Sequence, residues 1–277
     1  MIRVCNREDI ASVEVSRVTG SRSAPALDEL SVEEPLEIRL AAEAGPIPVA
    51  VTMRTPGHDT ELAAGFLFTE GFIAEADDLE DLRQVGANAV EVRLRPGLSL
   101  DAAKLDRHSF VSSSCGACGK RTIAAVRVAS RHPILPGALR LSPEVIHGLP
   151  EALRAGQPGF AKTGGIHASG LFDAAGRLLA LREDVGRHNA LDKLIGSELL
   201  AGRVPAAEGI LLVSGRVSFE LVQKAAMAGL PVLAAVGAPS SLAVDLAREC
   251  RMTLLGFVRD GRFNIYTDTG RINSLDG

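Results

Sequence analysis

The chain has 277 residues, 46% of them apolar, with 30 basic against 34 acidic side chains and a net charge of −4. That length fits one large domain or two ordinary ones, and the near balance of charge, with no Trp and one Tyr, leaves neither a field nor a stacking platform for nucleic acid. No apolar run reaches the ~18 residues of a membrane span, charges at Glu8, Asp9 and Glu14 fall where a signal peptide would be apolar, and four cysteines, only two of them close in sequence, make no disulfide framework, so a cytoplasmic protein is expected.

Up to about residue 100 the pattern predicts strands around one helix. The stretches "SVEVSRV" (12–18), "LEIRLA" (36–41), "IPVAVTM" (47–53) and "VEVRLR" (90–95) are rich in β-branched residues and partly alternating, as half-buried strands are. Between the last two, "HDTELAAGFLFTEGF" (58–72) predicts a helix. Leu62, Phe66 and Leu67 form its core stripe, Asp59 caps its start and Gly71 ends it.

The segment 101–140 reads as a boundary. Within it, "FVSSSCGACGKRT" (110–122) sets Cys115 and Cys118 three residues apart among serines and glycines. Structural zinc needs four ligands, but Cys5 and Cys250 are remote and the histidines scattered. A zinc deaminase needs His-x-Glu upstream of its cysteines, and no histidine here has Glu two positions on. No metal site is expected. Two readings stay open: a dithiol redox couple, or an accessible thiolate that attacks sulfur carried by another protein. In the second, the start of a following helix, "KRTIAAVRVA", with Lys120 and Arg121, lowers the thiol pKa.

Farther on, "AKTGGIHASGLFD" (161–173) and "LREDVGRHNALDKLIG" (181–196) concentrate Gly, His, Asp and Arg. Gly164 and Gly165 offer bare backbone N–H groups just before His167, suited to a phosphate or a ring edge. A loop enters a helix near His188, where Arg187 and Lys193 make an anion site; the alternative is a capped surface helix with ordinary salt bridges. The last third alternates strand and helix. "GILLVSG" (209–215), "LPVLAAVG" (230–237) and "TLLGFV" (253–258) are strands, and "SFELVQKAAMAG" (218–229) and "SSLAVDLAREC" (240–250) are helices capped by Ser218 and by Ser240 or Ser241. This is the pattern of parallel βαβ units. The turns "SGR" (214–216) and "GAPSS" (237–241) fall at the carboxyl ends of those strands, where open α/β sheets bind ligands. Asp260-Gly261 predicts a type I′ turn into "RFNIYT" (262–267). Arg259 and Arg262 flank it, either to grip a diphosphate or to protect an edge strand.

Six segments in order carry a resemblance. They are "ELAAGFLFTEGFI", "SSSCGACG", "TGGIHASGLF", "REDVGRHNALDKLIG", "VSGRVSFELVQKAAMAGLPVLAAVGAPSSLAVDLA" and "LLGFVRDGRFNIYT". Over most of its length the chain resembles the formate dehydrogenase accessory sulfurtransferases, the FdhD family; the first 25 residues carry none of the pattern. With the element pattern, the resemblance implies an α/β fold in three parts. These are a smaller β-rich domain with one helix (1–105), a mobile cysteine loop with a following helix (106–135), and a cytidine-deaminase-like three-layer domain with a mixed, mostly parallel sheet (136–277).

The resemblance also implies a homodimer that takes sulfur from a cysteine desulfurase. It hands that sulfur to the molybdenum (or tungsten) bis(molybdopterin guanine dinucleotide) cofactor, which is then inserted into formate dehydrogenase. Guanine nucleotide stands in for the ends of that cofactor. By position, Cys115 is the persulfide carrier and Cys118 its companion, and Phe257, Val258, Arg259, Asp260, Gly261 and Arg262 form the cofactor-binding segment. Gly164, Gly165, His167 and His188 are then assigned to the pterin or phosphate region, with hydrogen-bonded core positions as the alternative for the two histidines. Beside a sulfurtransferase, two functions stay open: a non-catalytic cofactor-binding chaperone and a dithiol oxidoreductase.

Overall fold

Three sheets and six helices make up the described parts of the computed structural model, which comprise residues 3–7, 9–43, 45–98, 132–135 and 139–273, with side chains from Asp9 onward. Cys115 and Cys118 lie outside these residues, as does the predicted helix that follows them. No helix among the described residues is long and apolar enough to cross a membrane.

The first sheet is an antiparallel ribbon of β1 (Arg3–Arg7), β2 (Ile10–Thr19) and β3 (Arg22–Ser31), in that order. Strand β3 was not predicted: it lacks alternation and contains Pro25, which a sheet tolerates here because β3 is an edge. The second sheet has the order β5-β4-β7-β6, from β4 (Glu34–Leu40), β5 (Ile47–Arg54), β6 (Leu79–Gln84) and β7 (Ala89–Leu94). Leu36, Ile38 and Leu40 alternate inward with Val49, Val90 and Val92 and pack on helix α1 (Asp59–Thr69).

Helix α1 departs from the single stripe predicted for it. Every residue from Leu62 to Thr69 is buried, because the side facing away from the second sheet meets another helix, α4 (Arg187–Leu200). Asp59 does not cap the helix. His58, in the left-handed region at φ 59°, takes the N-cap position without a side-chain cap bond, and the Asp59 carboxylate accepts from Arg54 Nε (3.0 Å) and Nη2 (2.8 Å). A buried guanidinium in bidentate geometry outcompetes a lone backbone N–H for that carboxylate.

The third sheet has six strands in the order β13-β12-β11-β10-β8-β9. Its centre is the predicted parallel unit of β10 (Ile210–Val213), β11 (Val232–Ala235) and β12 (Thr253–Arg259). Helices α5 (Phe219–Met227) and α6 (Ser241–Glu249) cross over between them. The sheet is mixed, but it is not mostly parallel as expected. Three of its five ladders are antiparallel, because the hairpin β8 (His167–Phe172)–β9 (Leu178–Asp184) joins at one edge and β13 (Arg262–Thr267) folds back at the other.

Both faces of this sheet are covered, which is why its central strands are apolar throughout. Ile210, Leu212, Val232, Ala234, Leu255 and Val258 meet Ile146, Leu149 and Leu153 of helix α2 (Pro143–Ala155). On the other face, Leu211, Val213, Leu233 and Leu254 belong to a second core that runs without a break through α4, α5, α6 and α1 to the four-stranded sheet. That core joins residues from both sides of the expected boundary at 101–140.

Candidate functional site: the cleft at the carboxyl ends of the parallel strands

Strand β8 runs antiparallel to β10, so it begins where β10 ends. His167 therefore stands beside the loop Ser214–Ser218, and across the β8–β9 ladder it pairs in register with Asp184. Three residues later the chain enters α4 with Arg187 and His188. The sequence-predicted histidines are thus brought to the two ends of one loop.

At the near end, the Ser214 hydroxyl accepts from the Ala168 N–H (2.9 Å) and lies 3.5 Å from His167 Nδ1. At the far end, Ser218 Oγ is 3.2 Å from His188 Nε2, with Glu220 Oε2 at 4.0 Å. His167 is half-buried. Burial, then the charge of Arg187, lowers its pKa, with Asp184 opposing. His188 is pushed down to about 4 by burial and by the charges of Lys224 and Arg187. Both rings are neutral at neutral pH.

Between them, Arg187 has a buried Nε with no hydrogen-bond partner. It sits in the first turn of a 14-residue helix whose N-cap, Gly186, supplies no side-chain cap. Free backbone N–H groups, the helix dipole and a guanidinium together favour an anion there. Lys193, the other predicted contributor, does not take part. It is buried, 2.7 Å from Asp184 Oδ2 and donating to Thr55 O at 2.7 Å. Asp184 also accepts from the backbone of Thr55 and Gly186 and from Asn189, so its fully buried carboxylate anchors the start of α4 to β5. Burial nonetheless raises its pKa against the pull of Lys193.

The predicted Gly-Gly cradle is also corrected. Gly164, at φ 64°, ends the short helix α3 (Pro158–Thr163). Its N–H donates to Phe160 O (2.9 Å) and that of Gly165 to Thr163 Oγ1 (3.3 Å). Neither N–H is bare.

The third wall is the β12–β13 hairpin. Two loops and strand β12 stack backbone to backbone: Gly237 N donates to Gly215 O (3.1 Å) and Phe257 N to Gly237 O (3.0 Å). A Cβ on Gly237 would lie 2.9 Å from Gly215 O, so only glycine allows this approach. Phe257 adopts φ 54°, an outlier for a bulky residue and a mark of stored backbone strain. Its half-buried ring has the Arg259 guanidinium carbon 5.5 Å from its centroid. Asp260 and Gly261, at φ 54° and 67°, form the predicted I′ turn. Arg259 and Arg262 are direct cross-strand partners; like charges so placed repel unless an anion lies between them. Val258 is fully buried in the core under α2, so its side chain is structural. Arg262 also borders a shallow depression with His147 and Phe263.

Ser218 and Glu220 were absent from the predicted site. In the sequence Ser218 reads as an ordinary helix cap, and nothing in the spacing marks Glu220.

The family model for the FdhD/NarQ family matches residues 31–273. Relatives called "Sulfur carrier protein FdhD" align along nearly their whole length. That of Streptomyces avermitilis is 52% identical over 255 residues, covering 88% of this chain and 89% of the relative. That of Mycobacterium tuberculosis is 45% identical over 257 residues (88% and 92%), and that of Sulfolobus acidocaldarius 41% over 264 (95% and 99%). A crystal structure from Desulfotalea psychrophila, proposed to be a formate dehydrogenase accessory protein, superposes with TM-score 0.75 over 96% of this chain and 100% of that one. At 24% identity it attests the shared fold. The matched segment contains both cysteines and every wall of the cleft, and the chain belongs to the FdhD/NarQ family.

Proposed function

We propose that the chain is a sulfur carrier. It receives persulfide sulfur from a cysteine desulfurase on Cys115 and delivers it to the molybdenum bis(molybdopterin guanine dinucleotide) cofactor destined for formate dehydrogenase. The observation that carries the reading is near-full-length identity of 41–52% to relatives named sulfur carriers. The cleft supports the substrate half of it. Arg187 at an open helix start and the opposed Arg259 and Arg262 suit diphosphate oxygens, while the neutral histidines and the Phe257 ring suit heterocycles.

The chemistry balances without an external oxidant. The Cys115 thiolate attacks the outer sulfur of the donor persulfide. The donor S–S bond breaks, a new one forms on Cys115, and the donor cysteine leaves as thiolate. For release, the Cys118 thiolate attacks Cys115 Sγ, expelling hydrosulfide and leaving a disulfide that an external dithiol must reduce.

Formate dehydrogenase produced with Cys115→Ala in place of the wild-type chain should contain its cofactor and lack activity. An active enzyme from that pairing would leave the chaperone function instead.

A further inference from the structure

Arg271 follows β13 and is 1% exposed. Its guanidinium reaches the carboxyl end of α6, where Nη1 donates to Arg251 O (2.9 Å) and to the Thr253 and Thr269 hydroxyls. Nη2 donates to Leu135 O (3.0 Å). All of these acceptors are neutral, and the buried Nε–H has no acceptor. Asp268 is the acid whose charge it feels, but Asp268 Oδ1 accepts from the Thr253 hydroxyl and from the Arg271 backbone N–H. A buried cation held by neutral partners is costly. The ties to α6 and Leu135 account for Nη1 and Nη2 and leave Nε without a role.

The same side chain lines a cavity of about 540 Å³ together with Arg140, Glu208, Leu135, Leu139 and Pro231. Glu208 precedes β10 and Pro231 precedes β11, so the cavity lies at the amino ends of the parallel strands, the opposite end from the cleft. Its volume is that of a small-molecule site. Burial lowers the Arg271 pKa, Asp268 pulls it up, and the charge of Arg140 pushes it down again. Among the described lining residues, two guanidinium groups thus meet one carboxylate, and much of the remaining wall is apolar.

We propose that this cavity binds a small organic monoanion, a carboxylate on an apolar body, with the carboxylate at Arg140 and Arg271 and the body against Leu135, Leu139 and Pro231. The carboxylate gives the Arg271 Nε–H an acceptor and lies between two like charges. Glu208 disfavours a dianion such as phosphate. The site is independent of the proposed cofactor cleft.

The test is calorimetric titration of the full chain with benzoate and, separately, with inorganic phosphate. Benzoate should bind wild type saturably and more tightly than phosphate. Arg140→Ala should weaken benzoate about tenfold, the worth of one charge-assisted hydrogen bond, and Glu208→Gln should tighten it severalfold. Both side chains are exposed, so both variants should fold. Arg271→Lys, which keeps a cation without the Nε–H, should weaken benzoate as well, with Arg140→Ala deciding the matter should that chain not fold. Arg187→Ala, which alters only the cleft, should leave benzoate affinity unchanged. No benzoate binding to wild type, or an affinity unmoved by both Arg140→Ala and Glu208→Gln, overturns the site. Loss of binding in Arg187→Ala places benzoate in the cleft and overturns it too. Phosphate bound more tightly than benzoate overturns the carboxylate assignment.

Discussion

Gly65 of α1 and Gly196 of α4 face each other where the two helices cross. A Cβ at Gly65 would stand 1.9 Å from Asp192 O, and one at Gly196 would stand 1.8 Å from Glu61 O. The contact joins the half of the molecule that carries the four-stranded sheet to the half that carries the cleft. It also places the Asp192 side chain against α1 and α5.

Gly65→Ala and Gly196→Ala should therefore each destabilise the fold by about 3 kcal/mol or more, at the upper end of overpacking costs, because the obstructing atoms are backbone. Thermal unfolding reads this directly. A melting temperature within a degree of wild type for either variant would contradict the crossing.

The buried Lys224 ammonium donates to Asp192 Oδ2 (2.8 Å) and Thr69 Oγ1 (2.9 Å). Lys224→Met leaves a fully buried carboxylate without its cation, at a cost of about 3–5 kcal/mol. Lys224→Met with Asp192→Asn should recover part of that loss in urea unfolding. Burial already raises the Asp192 pKa against the pull of Lys224. The Lys224→Met deficit should accordingly narrow as the pH falls and Asp192 takes up a proton.

Glu61 titrates the other way. Burial pushes its carboxyl up, but hydrogen bonds from Arg182 (Nη2, 2.8 Å) and His58 (Nδ1, 3.2 Å) and their charges outweigh this and hold it at about 2, against an ordinary 4.5. The folded value lies below the unfolded one, so the carboxylate stabilises the fold above about pH 4.5 and loses that effect as the pH falls toward 2. Glu61→Gln should be less stable than wild type at pH 7 and converge with it in acid. Parallel stability curves would refute the assignment.

Arg187→Ala should weaken GDP binding about 10- to 100-fold, the worth of a charge-assisted hydrogen bond, and flatten its salt dependence. Arg259→Ala should weaken binding too, while leaving unfolding stability unchanged or higher by up to about 1 kcal/mol, because a like-charge cross-strand pair is removed. Calorimetry and melting on the same samples check both signs. Unchanged affinity in both variants would remove the cleft as the nucleotide site.

Wherever local signals governed, the sequence was legible. The strands read at 209–215, 230–237 and 253–258 form at Ile210–Val213, Val232–Ala235 and Thr253–Arg259, Ser240 is the one of the two candidate caps that accepts from Ala243 N (3.2 Å), and the Asp260-Gly261 turn forms. Helix α2 carries an equally plain local signal, Ser142 at its N-cap followed by Pro143 at the first helical position. What stayed hidden depends on distant partners. Asp59 ceased to be a cap because Arg54 takes its carboxylate, and Lys193 left the anion site because Asp184 holds it inside. Ser218 turned from its own helix to His188. The hairpin β8–β9 was hidden because "HASGLF" alternates poorly, its strand being covered on both faces.

The most direct test of the central claim is intact-mass spectrometry of the full chain after incubation with a cysteine desulfurase and cysteine, beside Cys115→Ala and Cys118→Ala. The account predicts a gain of one sulfur atom, removed by reductant, in wild type and Cys118→Ala, and no gain in Cys115→Ala. A gain that persists in Cys115→Ala, or none in any chain while GDP still binds, would contradict it.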